Sequence, residues 1–275
     1  MLSLFRRLTR ELTDMTPEKR HDHRNYRPEA GGVNFKLRSL AQYPDYLEAL
    51  AKLNLQTGPA FLRYFDETEW KALVEQFTKY QFLMVSGNDL YGAAFTLPLY
   101  WNRAVESLPT TINAVIMRAI GCCQRKEKVN TLVVLALVSD DRHHGNGWKT
   151  EFLTTLKHLA SEKGFTSVLA PVRPSRKCEY PLMPFGQYVG WRQADGAPFD
   201  PDLRAHWNLG AVFLGAMPQA MTIEGKVKEW ERWTGIRFTE SGEYIVDGAQ
   251  RPVIIDQTND LGYYTDPNIW MLHRT

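Results

Sequence analysis

The sequence predicts an α/β (α+β) fold, a mixed central sheet with flanking helices, and three observations carry that expectation. Residues 131–138 form an unbroken aliphatic and β-branched run, the pattern of a strand covered on both faces. A polar, glycine-containing loop follows, and then Trp148, Phe152, Leu156 and Leu159 recur at helical spacing until Gly164, a good helix terminator. A second short apolar run, 166–170, is closed by Pro171. Strand, loop, helix and strand in this order make one βαβ unit.

Composition narrows the class. The chain has 275 residues, 44% of them hydrophobic, enough apolar material for a large domain and too much for disorder. Thirty-three Lys and Arg face 31 Asp and Glu, so no concentrated basic excess points to nucleic acid. The three cysteines are odd in number and show no repeated spacing, which excludes a disulfide scaffold or paired zinc ligands and implies a reduced, cytoplasmic compartment. The longest wholly apolar run, 132–138, is far short of the ~20 residues of a membrane span, so no membrane role is expected. The apolar part of the N-terminus is too short for a signal peptide. Its arginines leave an organellar presequence as an alternative that Glu11 and Asp14 weaken.

Taken in order, residues 1–32 are polar and end in Pro28-Glu29-Ala30-Gly31-Gly32, which predicts a mobile N-terminal arm. His21 and His23 read as solvated tail residues, weak metal binding being the alternative. Residues 33–275 are then a single domain. Alternation over 35–40 predicts a first strand, and Tyr46, Leu47, Leu50, Leu53 and Leu55 lie at helical spacing. A second helical stretch is expected around 67–75, divided from the first by Gly58-Pro59. Residues 81–86 and 90–100 read as paired strands joined by Gly87-Asn88-Asp89. A helix over 111–123 puts Ile112, Val115, Ile116, Ala119 and Ile120 on one face and ends in Cys122 and Cys123, buried or half-buried thiols that need no function. Beyond the βαβ unit, 209–217 reads as a strand and 223–235 as a helix that docks Trp230 and Trp233 on the sheet, with closing strands at 244–246 and 252–256. The extension from about residue 219 would roof an acceptor pocket or form a dimer surface.

The loop Arg142-His143-His144-Gly145-Asn146-Gly147 stands where a strand hands over to a helix. Unpaired N–H groups and the helix dipole meet there, and glycines let the main chain approach an anion, so phosphate or pyrophosphate suits it, with Arg142 adding a charge-assisted contact. A P-loop would need Lys and then Ser or Thr after the last glycine, whereas Trp148 and Lys149 follow. The dinucleotide fingerprint would need a third glycine where Thr150 stands.

Arg142, Gly145 and Gly147 resemble the acyl-CoA signature of the GNAT acyltransferases, Arg/Gln-x-x-Gly-x-Gly/Ala at the start of a helix. The resemblance implies a GNAT-like sheet whose strand before the loop splays from its neighbour and pairs with pantetheine through the backbone of Leu137, Val138 and Ser139. It implies a pyrophosphate cradle at His143, His144, Gly145, Asn146, Gly147 and Trp148. A helix-capping loop with incidental glycines is the bland alternative. After Pro171 the sequence departs from small GNAT enzymes, which show Asn and then a Tyr-x-x-x-Gly-Phe helix. Arg173-Pro174-Ser175-x-Lys177, Tyr180-Pro181, Asp195-Gly196-x-Pro198-Phe199-Asp200 and Leu203-Arg204-x-His206 look like a larger subgroup. It includes the GNAT-like loading domains of polyketide synthases, which decarboxylate malonyl thioesters and pass acyl groups to carrier proteins.

N-acyl transfer needs a base for the ammonium, an acid for the thiolate and donors for the thioester oxygen. His206 is the first candidate because imidazole titrates near neutrality, with Asp202 orienting the ring; a hydrogen bond to a neighbouring loop is the alternative. Ser175 would hold the thioester or a malonyl carboxylate, or else cap the helix expected from Arg176. Tyr188 stands where the family often places the tyrosine that protonates the thiolate, against a core-packing role with Tyr180, Phe185 and Trp191. Arg173 and Lys177 are open to an acidic substrate or the CoA 3′-phosphate. No metal is expected: Asp195, Asp200 and Asp202 fail the EF-hand spacing, and adjacent His143 and His144 cannot share a helical face.

The leading expectation is therefore an acyltransferase that moves an acyl group from acyl-CoA or acyl-phosphopantetheine to a small-molecule amine by direct attack. One alternative is a malonyl-type decarboxylase and S-acyltransferase working with an acyl carrier protein. Another is a non-catalytic acyl-CoA-binding module.

Overall fold

The computed structural model describes residues 35–56, 58–63, 69, 71–139 and 148–275. The arm expected at 1–32 lies outside them, as do Arg142, His143, His144, Gly145, Asn146 and Gly147. The strands are β1 (Lys36–Ser39), β2 (Gln81–Ser86), β3 (Asp89–Leu99), β4 (Thr131–Ser139), β5 (Ser167–Val172), β6 (Val212–Gly225), β7 (Gly242–Tyr244), β8 (Val253–Asp256) and β9 (Leu261–Arg274). The helices are α1 (Leu47–Gln56), α2 (Ile112–Gln124), α3 (Trp148–Glu162), the single turn α4 (Phe185–Val189), α5 (Pro201–Asn208) and α6 (Val227–Thr234). One mixed sheet runs β1-β2-β3-β4-β5-β9-β8-β7, and β6 pairs with β9 off this path.

The expected βαβ unit is present: β4 and β5 are parallel, with α3 between them in sequence. They pair only at Thr131–Ser167, Leu132–Val168 and Val133–Leu169. Above those three rungs each strand continues without the other. A bulge marks the point of parting, for Thr96 of β3 faces Val134 while Phe95 faces Ala136, leaving Leu135 extra. Burial follows the same line. Residues 131–134 are buried, whereas Leu135, Ala136 and Leu137 are half-buried where the second neighbour is lost.

Strand alternation gives the sheet two apolar faces. Phe82, Leu132, Val134, Val168 and Met271 pack against Phe152 and Leu156 of α3 and Leu203 of α5. On the other face Leu97, Leu99, Val133, Leu169 and Trp270 meet Val115, Ile116 and Ala119 of α2, and Leu83, Val85, Ala93 and Phe95 meet Leu47 and Leu50 of α1. Thr111 caps α2 by accepting from the Ala114 N–H at 3.0 Å. Gly164 turns the chain out of α3 at φ +80°, a value L side chains rarely adopt. Among the terminal thiols of α2, Cys122 is buried but Cys123 is exposed.

Several boundaries differ from expectation. Around 67–75 the described residues are helical as expected, Glu69 and Lys71 in α-helix and Ala72–Gln76 in a π-helical turn. β5 does not end at residue 170 but runs through Pro171, opposite Trp270 of β9. Proline lacks an N–H for a ladder, and it stands where β5 has already lost β4 as a partner. The strand expected at 209–217 is β6, which begins three residues later and extends to Gly225, and the helix expected from 223 starts at Val227. Ile223, Glu224 and Gly225 are claimed instead by Tyr264, Tyr263 and Gly262. β7 likewise lies two residues earlier than the expected strand.

The largest difference is β9, fourteen residues that the sequence pattern does not announce. Asp266-Pro267-Asn268 reads as a turn. It is held in the strand by tertiary partners: Asp266 accepts from Arg173 at 2.8 Å, and Asn268 donates to the Pro171 carbonyl at 2.9 Å. β6 bulges opposite them, between Met217 and Met221.

Both predicted tryptophans lie on α6. Trp230 is fully buried on β9, with Phe61 5.5 Å away and Tyr264 edge-on to Phe61 at 5.3 Å. Only glycine fits beneath it: a Cβ at Gly262 would lie 2.1 Å from Trp230 Cδ1. Gly262→Ala is therefore expected to cost about 2–3 kcal/mol by overpacking, read as a fall in melting temperature of about 5–10 °C. An unchanged melt would mean that α6 shifts freely on the sheet.

Candidate functional site

The parting of β4 from β5 creates the site. Between Val134 and Ser139 the β5-facing side of β4 has no strand partner, so N–H and C=O groups there must be met from outside the sheet. Ser139 Oγ is buried and also has no hydrogen-bond partner among the described residues. β3 closes tightly against this end, since a Cβ on Gly92 would lie 2.8 Å from the Val138 carbonyl oxygen. Leu137, Val138 and Ser139 pair with Ala94, Ala93 and Gly92 of β3 on one side and leave an open polar edge on the β5 side, continuous in sequence with the glycine loop and with Trp148 at the start of α3. An extended chain carrying amides would meet complementary donors and acceptors along this edge. Trp148 is half-buried beside Phe152, with ring centroids 6.4 Å apart. Lys149 is fixed to Asp202 of α5 at 2.7 Å.

Past β5 the chain is organised by Asp200, which the sequence marks only as the end of the Asp195-Gly196-x-Pro198-Phe199-Asp200 motif and as one of three aspartates that fail a calcium-loop spacing. Its carboxylate is 2% exposed and accepts from the N–H groups of Ser175 (3.2 Å), Arg176 (2.9 Å), Asp202 (3.0 Å) and Leu203 (3.3 Å), and from the Tyr188 hydroxyl (2.8 Å). The local signal was present: Asp before Pro201 is an N-cap followed by proline at the first helical position. What the sequence could not give is the reach of the same carboxylate to residues 24 and 25 positions upstream.

The three expected catalytic side chains occupy different places. Ser175 is exposed, three residues beyond the end of β5, with Oγ 3.5 Å from Asp200. It does not cap the short helix at Lys177–Glu179, where no side chain acts as N-cap. Tyr188 is buried among Tyr180, Trp191 and Phe199, and its proton is directed at Asp200. Burial, then that hydrogen bond, push the phenol well above the usual tyrosine range. Asp200 thus joins Ser175 to Tyr188 but leaves His206 apart.

His206 lies on the α3 and α5 face of the sheet, and its Nδ1 is 2.9 Å from Nε2 of His273, a β9 residue the sequence reading did not single out. His273 stands opposite Val168, whose other neighbour is Leu132, so the pair sits level with the closed rungs and below the parting. The expected orientation of the ring by Asp202 does not occur, because Asp202 is taken by Lys149. Burial, helped by His273 and Lys149, lowers His206 to about 3, and burial with Lys157 lowers His273 to about 4. Arg204 points away, donating to the carbonyls of Pro198 and Phe199.

Arg173 and Lys177 are both built in. Arg173 pairs with buried Asp266, and Lys177 is 1% exposed and donates to the carbonyls of Tyr180 and Gln250. Burial, with Arg251 nearby, brings the Lys177 ammonium down to about 8. Among the described residues no group of three His, Cys, Asp or Glu is arranged to hold a metal, and no helix is long and apolar enough to cross a membrane.

Comparison with known proteins agrees with this architecture. No protein-family model matches the chain. The arginine N-acetyltransferase avaD of Aspergillus versicolor is 30% identical over 166 residues, covering 54% of this chain and 57% of that protein. The matched stretch therefore spans little more than half of that relative. Two solved structures share the fold. The loading GNATL domain of CurA from Lyngbya majuscula is 17% identical with a TM-score of 0.55, covering 87% of this chain and 97% of that one. The GphF GNAT-like decarboxylase in complex with isobutyryl-CoA is also 17% identical, with a TM-score of 0.51 and coverage of 87% and 98%. The chain has the fold of the GNAT acyltransferases.

Proposed function

We propose that this GNAT-fold chain is an N-acyltransferase that moves an acyl group from a CoA thioester to the amine of a small molecule. The observation that carries the reading is the three-rung pairing of β4 with β5, which leaves the β5-facing edge of β4 open at Leu137, Val138 and Ser139, shortly before the Arg142-x-x-Gly145-x-Gly147 loop in sequence. The likeness to an arginine N-acetyltransferase supports a small amine as acceptor. When bound, the thioester supplies an activated acyl carbon. One ammonium proton is lost before attack, the amine nitrogen bonds to that carbon, the C–S bond breaks with the sulfur leaving as thiolate, and the second proton shed by the nitrogen as the amide forms balances the one the thiolate takes up to become the thiol.

In this reading the β4 edge and Ser139 hold the pantetheine, and the loop with Trp148 and the α3 N-terminus holds the pyrophosphate. Ser175 is the expected catalytic residue with an exposed hydroxyl at this end of the sheet, and we assign it to the reacting thioester. Tyr188, through Asp200, and His206, through His273, are assigned to positioning. A carrier-protein thioester as donor and a cytoplasmic location are the finer parts of the proposal, the latter resting on free Cys122, Cys123 and Cys178.

Melting curves with CoA, acetyl-CoA and malonyl-CoA test the donor site. A ligand at a hundredfold its dissociation constant adds about 2.7 kcal/mol, read here as a rise of roughly 5–10 °C. Gly147→Val should block approach of the anion to the main chain and remove the rise. A rise that survives in Gly147→Val would overturn the loop assignment, and no rise with any of the three would exclude free CoA as the donor and move the test to an acylated carrier protein.

A further inference from the structure

Arg173 follows β5 directly, at the end of the sheet where β4 and β5 have parted. Its Nε donates to Asp266 at 2.8 Å and its Nη2 to the Gly248 carbonyl at 2.6 Å. The other Asp266 oxygen accepts from the Tyr264 hydroxyl, which in turn accepts from the Gln250 N–H at 2.9 Å. Lys177 donates to the Gln250 carbonyl at 2.6 Å. Arg251, the next residue, reaches only Thr265 Oγ1 (3.1 Å) and the Pro218 carbonyl (3.3 Å). Arg173, Lys177 and Arg251 are thus linked through Asp266, Tyr264, Gln250 and Thr265, and of the three Arg173 alone is paired with a carboxylate among the described residues.

Neither Lys177 nor Arg251 has a carboxylate partner among the described residues. Uncompensated charge next to a core is costly, and a fold that keeps two such cations in place has the electrostatics of a site completed by an anion. The cluster lies on the β9 side of β5, whereas the glycine loop follows β4. In the acyltransfer reading it thus stands across the parting from the β4 edge assigned to pantetheine. Buried Asn268 adds an unpartnered Oδ1 beside the end of β5, its amide nitrogen being spent on Pro171. That oxygen accepts an N–H donor.

We propose that Arg173, Lys177 and Arg251 form a subsite for a carboxylate carried by one of the reactants, either that of an amino-acid acceptor or that of a malonyl-type acyl group. The proposal rests on the acyltransfer reading and assigns the side chains that choose the substrate. Arg173 and Arg251 make the contact, and enclosed Lys177 contributes field.

The test measures kcat/KM for pairs differing only in a carboxylate, on wild type and on Arg251→Gln and Lys177→Met. The acceptor pairs are L-arginine and agmatine, L-lysine and cadaverine, and L-phenylalanine and phenethylamine; the donor pair is malonyl-CoA and acetyl-CoA. Isothermal titration of the same amino acids and amines into the protein, with and without CoA, reads binding where turnover is absent. The expected result is that the ratio of carboxylated to uncarboxylated reactant falls at least tenfold in Arg251→Gln in one arm, and the arm affected identifies the source. A ratio unchanged in both arms in both variants, or a wild type that does not favour the carboxylated member of any pair by turnover or titration, overturns the subsite. Failure of CoA to shift the wild-type melt would instead strike the donor reading, while the titrations without CoA still test the anion site.

Discussion

Asp200→Ala is expected to lower the melting temperature by about 8–15 °C and to abolish acyl transfer. The carboxylate accepts from four backbone N–H groups and from Tyr188, all within 3.3 Å and in a site 2% exposed. Truncation strands those donors, at about 1–3 kcal/mol for each one left without water. The losses are not additive because the loops relax, and a net cost of about 3–5 kcal/mol is the reasonable scale for breaking a buried network. At about 2–4 °C per kcal/mol for a chain of this size, that brackets the stated range. Tyr188→Phe removes one donor and no acceptor, so it should cost about 1 kcal/mol. Asp200→Asn, which can keep one acceptor oxygen, should fall between the two. A melt of Asp200→Ala within 2 °C of wild type would show that the junction is held by packing alone.

The loss of activity follows from what Asp200 joins. It ties the chain just beyond β5, where Ser175 is exposed, to the first turn of α5, and Asp202 in that turn holds Lys149 one residue after Trp148. The two sides of the donor site are thus fixed to each other through α5. Displacement of this order costs catalysis through misplaced groups even when the fold survives. Turnover of Asp200→Ala should be measured well below its melt, so that loss of orientation is separated from unfolding.

How far the sequence carried this architecture depends on the range of the interactions. The βαβ unit, the β2–β3 hairpin and the capped α2 were legible because period, turn chemistry and caps act over a few residues. β9 was not, because its central Asp266-Pro267-Asn268 favours a turn and is overruled by Arg173 and Pro171, more than ninety positions away. The same limit holds at the site. That β4 parts from its neighbour before Leu137, Val138 and Ser139 was what the GNAT resemblance implied. The partner of His206 could not, since His273 lies 67 residues downstream on the strand that was missed. Aromatic spacing offers core packing for Tyr188, which the structure shows, but the Asp200 that accepts its hydrogen bond is revealed only by the turn between them.

The buried imidazole pair leads to a marked acid sensitivity. His206 is lowered to about 3 and His273 to about 4, first by burial and then by charges and rings around them, against about 6.5 in the unfolded chain. Between pH 6.5 and about 4 the unfolded chain therefore binds up to two protons that the folded chain does not, and stability rises with pH across that window. Above pH 6.5 both states are neutral at these rings and the pair contributes no slope. As pH falls below 6.5 each imidazole removes up to about 1.4 kcal/mol per unit, so the pair should cost about 3–5 kcal/mol by pH 4.5. Lys149 and Lys157 reinforce the effect, while Asp202 moderates it through its hold on Lys149. The measurement is the urea midpoint at pH 7.5, 6.0 and 4.8 for wild type and for the double variant His206→Gln with His273→Gln. Glutamine keeps a hydrogen-bonding group and does not titrate, so the double variant should start less stable at pH 7.5 and lose clearly less on acidification. An equal acid slope would place the sensitivity in other groups. Turnover of His206→Gln at pH 7.5 separates the two roles open to this residue. A ring fixed to His273 below the parting of β4 and β5 should leave kcat/KM within about tenfold once folding is matched. Loss of several orders of magnitude with the melt intact would make His206 the base and move the reacting centre to the closed rungs.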